Sequence, residues 1–291
     1  MGAVHGVYLK YVGLSAVSYA GYSYLVASGD VADLIITSGG FRNLLLNTIT
    51  STSTSTSSSN AGVGVGFELS PAMMRLGTAA ILKYSAILNG IIAALFKLEV
   101  GMGLIGKSST TGQIPFWSYV LYFPFHLPSI LYTKIHANND RKKKVKVPVA
   151  SEVQPGWWVG GTYSNELNKD WGGVIDLTVE FPERCFHSSK SYLLCASWDG
   201  VPPSPEKLEE AAVFAVEARK KGDVLVHCAH GRGRSTTLMC AALVRAGLYD
   251  NWEDAFEKGI KPGRSVCKLN RRMRNALTEW QTKYVDSKKS N

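Results

Sequence analysis

His227-Cys228-Ala229-His230-Gly231-Arg232-Gly233-Arg234-Ser235 places a cysteine, an arginine and a glycine-rich turn between two apolar stretches. On the N-terminal side, Asp223-Val224-Leu225-Val226-His227 suits a short buried strand. On the other, Ser235 to Leu243 reads as a helix with Leu238, Met239 and Leu243 on its inner side. A loop at such a junction aims backbone amides at an anion in front of a helix N-terminus. Cys228 would stand at its base, a setting that lowers a cysteine pKa from ~8.5 to ~3.5–7.5 and yields a nucleophilic thiolate. The planar fork of Arg234 suits two phosphate oxygens at once. Gly231 and Gly233 allow the backbone to wrap closely round the ion.

The pattern His-Cys-x-x-Gly-x-x-Arg-Ser at 227–235 resembles the signature of the cysteine-dependent protein tyrosine phosphatase superfamily. That resemblance implies a general-acid aspartate on a mobile loop about thirty residues upstream, and Asp199 in Ser197-Trp198-Asp199-Gly200-Val201-Pro202-Pro203 fits. Asp176 is the rival acid, but Val174 to Val179 reads as a strand. Residues 151–285 are close in length to the compact dual-specificity type, and no stretch resembles the phosphotyrosine-recognition loop of the tyrosine-specific members. The resemblance implies attack by Cys228 on phosphorus, proton donation by Asp199, and hydrolysis of a phosphocysteine with Asp199 as base and Ser235 assisting the departing thiolate. It implies a loop-holding and thiolate-tuning role for His227 and requires no metal or other cofactor. The bland alternatives are a buried structural cysteine, a surface arginine and an acidic turn residue.

Ala229, His230 and Arg232 are the loop side chains expected at the pocket mouth, with Ala229, His230, Gly231, Arg232, Gly233 and Arg234 together cradling the phosphate. Arg232, and His230 if charged, would suit a phospholipid headgroup such as phosphatidylglycerophosphate or a phosphoinositide; otherwise Arg232 pairs with a nearby carboxylate. Phosphoprotein is the default substrate for the dual-specificity type, phospholipid the alternative. A catalytically weak phosphate-binding membrane adaptor is a third possibility.

Charge divides the chain unevenly. Residues 1–140 hold seven Lys/Arg and five Asp/Glu, and 141–291 hold twenty-five and eighteen. Three apolar runs in the first part, about 7–27, 76–96 and 114–135, are long enough for the ~30 Å hydrocarbon layer. Lys83 in the second costs about 2.5–3.5 kcal/mol if stranded mid-bilayer, and Pro115, Pro124 and Pro128 kink or make re-entrant the third. A Ser/Thr-rich loop, 48–60, lies between the first two and cannot build a core. The basic linker 141–150, with Arg141-Lys142-Lys143-Lys144-Val145-Lys146, should stay in the cytoplasm by the positive-inside bias, and the catalytic domain with it. The first run lacks a basic leader and a clear cleavage site and reads as an anchor.

The five cysteines, 185, 195, 228, 240 and 267, are irregularly spaced and fit a reducing compartment. Cys195 is read as a core strand residue, with a protective disulfide to Cys228 as the sharper alternative. The predicted fold is α/β, a mostly parallel sheet flanked by helices after an α-helical membrane region. Strands are expected near 157–161, 174–179, 192–196 and 224–227. Ser204-Pro205 should open a helix to Lys220, Asp250 with Glu253 resembles a capping box, and a last helix should run over 269–285 before a tail, 286–291. From Lys258 onward there are ten Lys/Arg against two Asp/Glu. A membrane surface is the expected anionic partner; no nucleic-acid motif accompanies the charge. The oligomeric state is unknown from sequence.

Overall fold

The computed structural model describes residues 4–27, 71–142 and 146–287. The Ser/Thr-rich loop 48–60, residues 143–145 of the basic linker and 288–291 of the tail lie outside them. Two units divide the chain, residues 10–91 and a unit containing 92–291.

Among the described residues, the first unit holds helix α1 (Val4–Ala27) from residue 10 onward and most of helix α2 (Pro71–Leu98). Ser15 Oγ donates to the Ala86 carbonyl at 2.7 Å, and Gly21 leaves room for Leu82. Among the described residues one segment, Met73–Leu98, is long and apolar enough to cross a membrane. The 7–27 run is helical but falls short of that, because Ser, Gly and Tyr are interleaved through it.

The second unit takes in residues 92–291 together with 1–9, so the sheet-bearing body holds more chain than 151–285. After α2 come helix α3 (Phe116–Leu121) and helix α4 (Phe123–Lys142). The third apolar run is therefore not one membrane-crossing helix. Its prolines break it at Pro115 and near Tyr122, and one side of α4 is buried against the sheet-bearing body. Strands β1 (Ala150–Gln154), β2 (Trp157–Gly160), β3 (Gly173–Thr178) and β4 (Tyr192–Ser197) follow, then helix α5 (Pro205–Arg219), strand β5 (Val224–His227), helix α6 (Arg234–Arg245) and helix α7 (Arg271–Gln281).

The sheet order is β1-β2-β5-β3-β4, with β1 antiparallel to β2 and every other pairing parallel. This is the α/β architecture that the alternation of strands and helices predicts. β3 and β5 are buried along their whole length, as near-continuous apolar strands covered on both faces must be. Ser204 caps α5 by accepting from the Lys207 amide, and Leu208, Ala212, Ala215 and Ala218 face the core. Two cap assignments differ from expectation. Asn251, rather than Asp250, accepts from the Asp254 amide, and Asn270 caps α7, which starts at Arg271 and continues as a wider π-type turn to Asp286.

Candidate active site

β5 and α6 are joined by residues 228–233, at the carboxyl ends of the central parallel strands, where open α/β sheets place their ligands. The loop is held from outside. The Ala229 carbonyl accepts from the Thr162 amide at 3.2 Å, and the His230 and Gly231 carbonyls from Arg264 at 3.3 and 2.8 Å. The Arg232 carbonyl accepts from the Lys268 amide at 2.7 Å and from Thr236 Oγ1 at 3.0 Å, and the Gly233 carbonyl from the Thr237 amide and hydroxyl. Because a planar peptide carries its N–H opposite its C=O, outward carbonyls turn the amides of 230–234 inward. Gly231 makes the turn at φ +64°, and a Cβ there would lie 2.5 Å from the Gly160 carbonyl carbon.

Cys228 and Ser235 face each other across the base of the loop, Sγ to Oγ 3.4 Å. Burial alone would raise the thiol pKa. The Arg234 guanidinium, the Ser235 hydroxyl and the amides of Ser235 and Arg232 outweigh it and bring the pKa below its ordinary value. Arg234 is buried and bonded to Glu180 (Nη2 to Oε1 2.6 Å), to the Leu177 carbonyl (3.0 Å) and to the Ser197 carbonyl (2.7 Å). Asp199 Oδ1 lies 3.3 Å from Arg234 Nη2, at 38% side-chain exposure. The expected nucleophile, arginine, serine and acid therefore meet at one place. Arg234 Nε is a buried donor with no acceptor among the described residues. A phosphate oxygen would satisfy it, since a buried N–H left alone is costly.

His227 bonds to Glu183 (Nε2 to Oε2 2.6 Å), not to the thiol. Burial would lower its pKa, but Glu183 and Asp176 raise it to about 9. Opposed by burial, His227 and the Cys185 amide hold Glu183 at about 2. Asp176, the rival acid, is fully buried and paired with Lys107, whose ammonium also reaches the Thr178 carbonyl and hydroxyl at 2.9 and 2.8 Å. Asp176, Glu183 and His227 bring ligand atoms within 4.8 Å of one another, a cation-like spacing, and the Lys107 ammonium is the cation they face.

Residues before the basic linker thus complete the site. Gly112 and Gln113 bond to the backbone of Glu183 at 2.9 and 2.7 Å, and a Cβ on Gly112 (φ +67°) would lie 2.4 Å from the Glu183 Cβ. Trp198, beside Asp199, is fully buried: it donates to the Val100 carbonyl at 2.8 Å, stacks on Phe96 and meets Phe125 edge-on. Of the alternatives left open at the loop mouth, Arg232 takes the carboxylate-paired one and His230 the uncharged one. Arg232 is bound to Asp140 of α4 at 2.6 Å, and its charge is neutralised there. Burial, followed by the charges of His136, Arg232 and Arg234, holds His230 at about 4 against the opposing pull of Asp199, so it is neutral at pH 7. Cys195 lies in the β4 core, where burial pushes its thiol up to about 12.

Glu180, Glu183, Lys107, Asp140 and Arg264 escaped the sequence reading. The nearest signal was Glu180-Phe181-Pro182-Glu183, two acids directly after a buried strand.

The chain is similar to a mouse protein described as a dual specificity phosphatase, solved with zinc tungstate: 20% identity over 50% of this chain and 95% of that one, TM-score 0.44. It is also similar to PTPMT1 in complex with PI(5)P (19% identity, 48% and 99% covered, TM-score 0.42) and to human DUSP28 (18% identity, 47% and 95% covered, TM-score 0.40). No family model and no curated protein matches the chain.

Proposed function

We propose that the chain is a membrane-anchored phosphatase that cleaves phosphomonoesters through a phosphocysteine, with phosphoprotein as its substrate. The observation that carries this is Arg234 Nε, without an acceptor among the described residues, beside a thiol of lowered pKa, in a loop whose carbonyls from Ala229 to Gly233 are bonded outward. The Cys228 thiolate attacks phosphorus in line and the ester P–O bond breaks. Asp199 gives its proton to the leaving oxygen. Water then attacks the phosphocysteine, Asp199 takes its proton, and the S–P bond breaks while Ser235 donates a hydrogen bond to the returning thiolate. Arg234 follows the phosphoryl oxygens through both steps, held in place by Glu180. Ala229, His230, Gly231, Arg232 and Gly233 supply the cradle, and His227, locked to Glu183, fixes its base.

Helix Met73–Leu98 supports anchoring, and the Arg141–Lys146 cluster supports a cytoplasmic catalytic unit. A second substrate class, phospholipid, is favoured by the outward apolar face of α4 next to the loop, not by Arg232, which Asp140 occupies. Full-length chain assayed on phosphopeptides and on phospholipid vesicles tests both: turnover of soluble peptide equal to or above that of vesicles supports the first, and vesicle preference the second. Phosphate-dependent binding without turnover would leave an adaptor.

A further inference from the structure

After a first turn that buries Pro124 and Phe125, helix α4 carries its polarity inverted. His126, Ser129, Thr133, His136 and Asp140, spaced three or four residues apart, are buried or half-buried on the side of the sheet-bearing unit. Leu127, Ile130, Leu131 and Ile135 stand on the opposite face at 39–59% exposure. α3 continues the pattern: Phe116, Trp117 and Val120 are more than half exposed, while Ser118 is buried and bonded to His126 Nε2 at 3.2 Å. An amphipathic helix in water buries its apolar stripe. This one presents the stripe outward, and contiguous exposed apolar surface marks a docking site.

We infer that α3 and α4 lie flat in the headgroup layer of a lipid bilayer, apolar face inward to the lipid, instead of crossing it. Crossing is excluded by the other face of α4, which is committed to the catalytic unit. Tyr132 and His136 pack on His230 with ring centroids 5.9 and 4.5 Å away, and Asp140 holds Arg232. A bilayer is favoured over a protein partner by two features. Seventeen residues, 99–115, join α3 to a helix able to span a membrane, which keeps the patch within reach of that membrane. Lys134 is exposed beside the apolar stripe, and past Arg141, which pairs with Glu166, the sequence continues with Lys142, Lys143, Lys144 and Lys146, the charge that anionic headgroups attract. Trp117 suits the interfacial zone. The consequence for the site is position: α4 touches the loop with one face and lipid with the other, so the loop's His230 edge sits at the membrane surface.

This rests on the anchoring proposed above, and depth measurement separates the two. The full-length chain, reconstituted in vesicles of equal phosphatidylcholine and phosphatidylglycerol, would carry single nitroxides at Leu127→Cys, Leu131→Cys or Ile135→Cys, with Lys258→Cys as control. Every labelled variant also carries Cys228→Ser, which removes the reactive thiolate, and the other four native cysteines are buried. Oxygen against a water-soluble nickel chelate reads the depth. The expected result is one shared shallow depth, ~5–10 Å into the headgroup and acyl boundary, with the control in water. Three results would overturn the inference: labels as wet as the control; labels shielded from both reagents, meaning cover by protein; or depths spread by about 12 Å from 127 to 135, the rise of a crossing helix. Release of the chain by alkaline carbonate, with shallow labels beforehand, would sink anchoring and leave the docking face. Neither arm reads turnover.

Discussion

Strand β5 and helix α4 flank the same loop, 228–233, and beyond its first turn, which buries Phe125, α4 buries the opposite kind of side chain. β5 hides Val224, Leu225 and Val226, as a central parallel strand must, and delivers Cys228 from a rigid base. α4 hides Thr133 and Asp140 and leaves leucines and isoleucines outside. A strand in the core has one environment to satisfy, whereas a helix at an edge can serve two. The polar face of α4 meets the loop, and its apolar face is left for another phase. Segments outside the expected domain are in this way part of the site, and substitutions on each side of the loop separate the two contributions.

The largest effects should come from the sheet side. Asp199→Asn is expected to lower kcat by about 10²–10⁴-fold on an alkyl phosphate, and much less on p-nitrophenyl phosphate, whose leaving oxygen needs no proton; steady-state kinetics on both esters checks this. Arg234→Lys keeps a charge but loses the fork, and should cost about 10²–10³-fold in kcat.

Lys107→Met tests whether the pre-linker chain belongs to the site. It leaves Asp176 buried without its cation, which should destabilise the catalytic unit by about 3–5 kcal/mol. Thermal inactivation should show the loss, and pairing it with Asp176→Leu should restore most of it. A null effect would take Lys107 out of the site.

The His227–Glu183 pair gives a pH signature. The folded pKa of His227, about 9, is above its ordinary 6.5, so its stabilisation is complete below about pH 6.5 and lost as pH rises through 9. Glu183, depressed to about 2 from 4.5, contributes above 4.5 and loses that only as pH falls through 2. Inactivation temperature should therefore fall from pH 6.5 to 9, and Glu183→Gln should flatten that limb. The smallest effect belongs to the α4 side: a double-mutant cycle of Arg232→Ala and Asp140→Ala should give a coupling of about 0.2–1 kcal/mol in stability, because the pair is partly exposed. Arg232→Ala should lower turnover of peptide and lipid substrates alike.

The strand–loop–helix junction at 227–235 was legible because its pattern is local. Strand, glycine turn, cysteine, arginine and helix occupy one window, and the parallel strands announce themselves as short apolar runs. Glu180 and Lys107 were not legible, since their partners lie 54 and 69 residues away and nothing in a neighbourhood encodes a long-range ion pair. For the 114–135 run, kinked or re-entrant by its prolines, the sequence reading left the facing of the helix open for a different reason. Summed hydropathy over a window hides direction, while the helical spacing of His126, Ser129, Thr133 and His136 held the polar face all along. Strand β1 went unseen because Ala150-Ser151-Glu152-Val153-Gln154 is an edge strand with polar residues on its open side.

The central claim is that Cys228 is the nucleophile of a phosphomonoesterase. Phosphate release by the full-length chain, wild type beside Cys228→Ser, on phosphopeptides and phospholipid vesicles tests it most directly. Turnover by the wild type that vanishes in Cys228→Ser, with phosphate analogues still bound by the variant, is the expected result. Turnover that survives the substitution, or none in the wild type on either substrate, would contradict it.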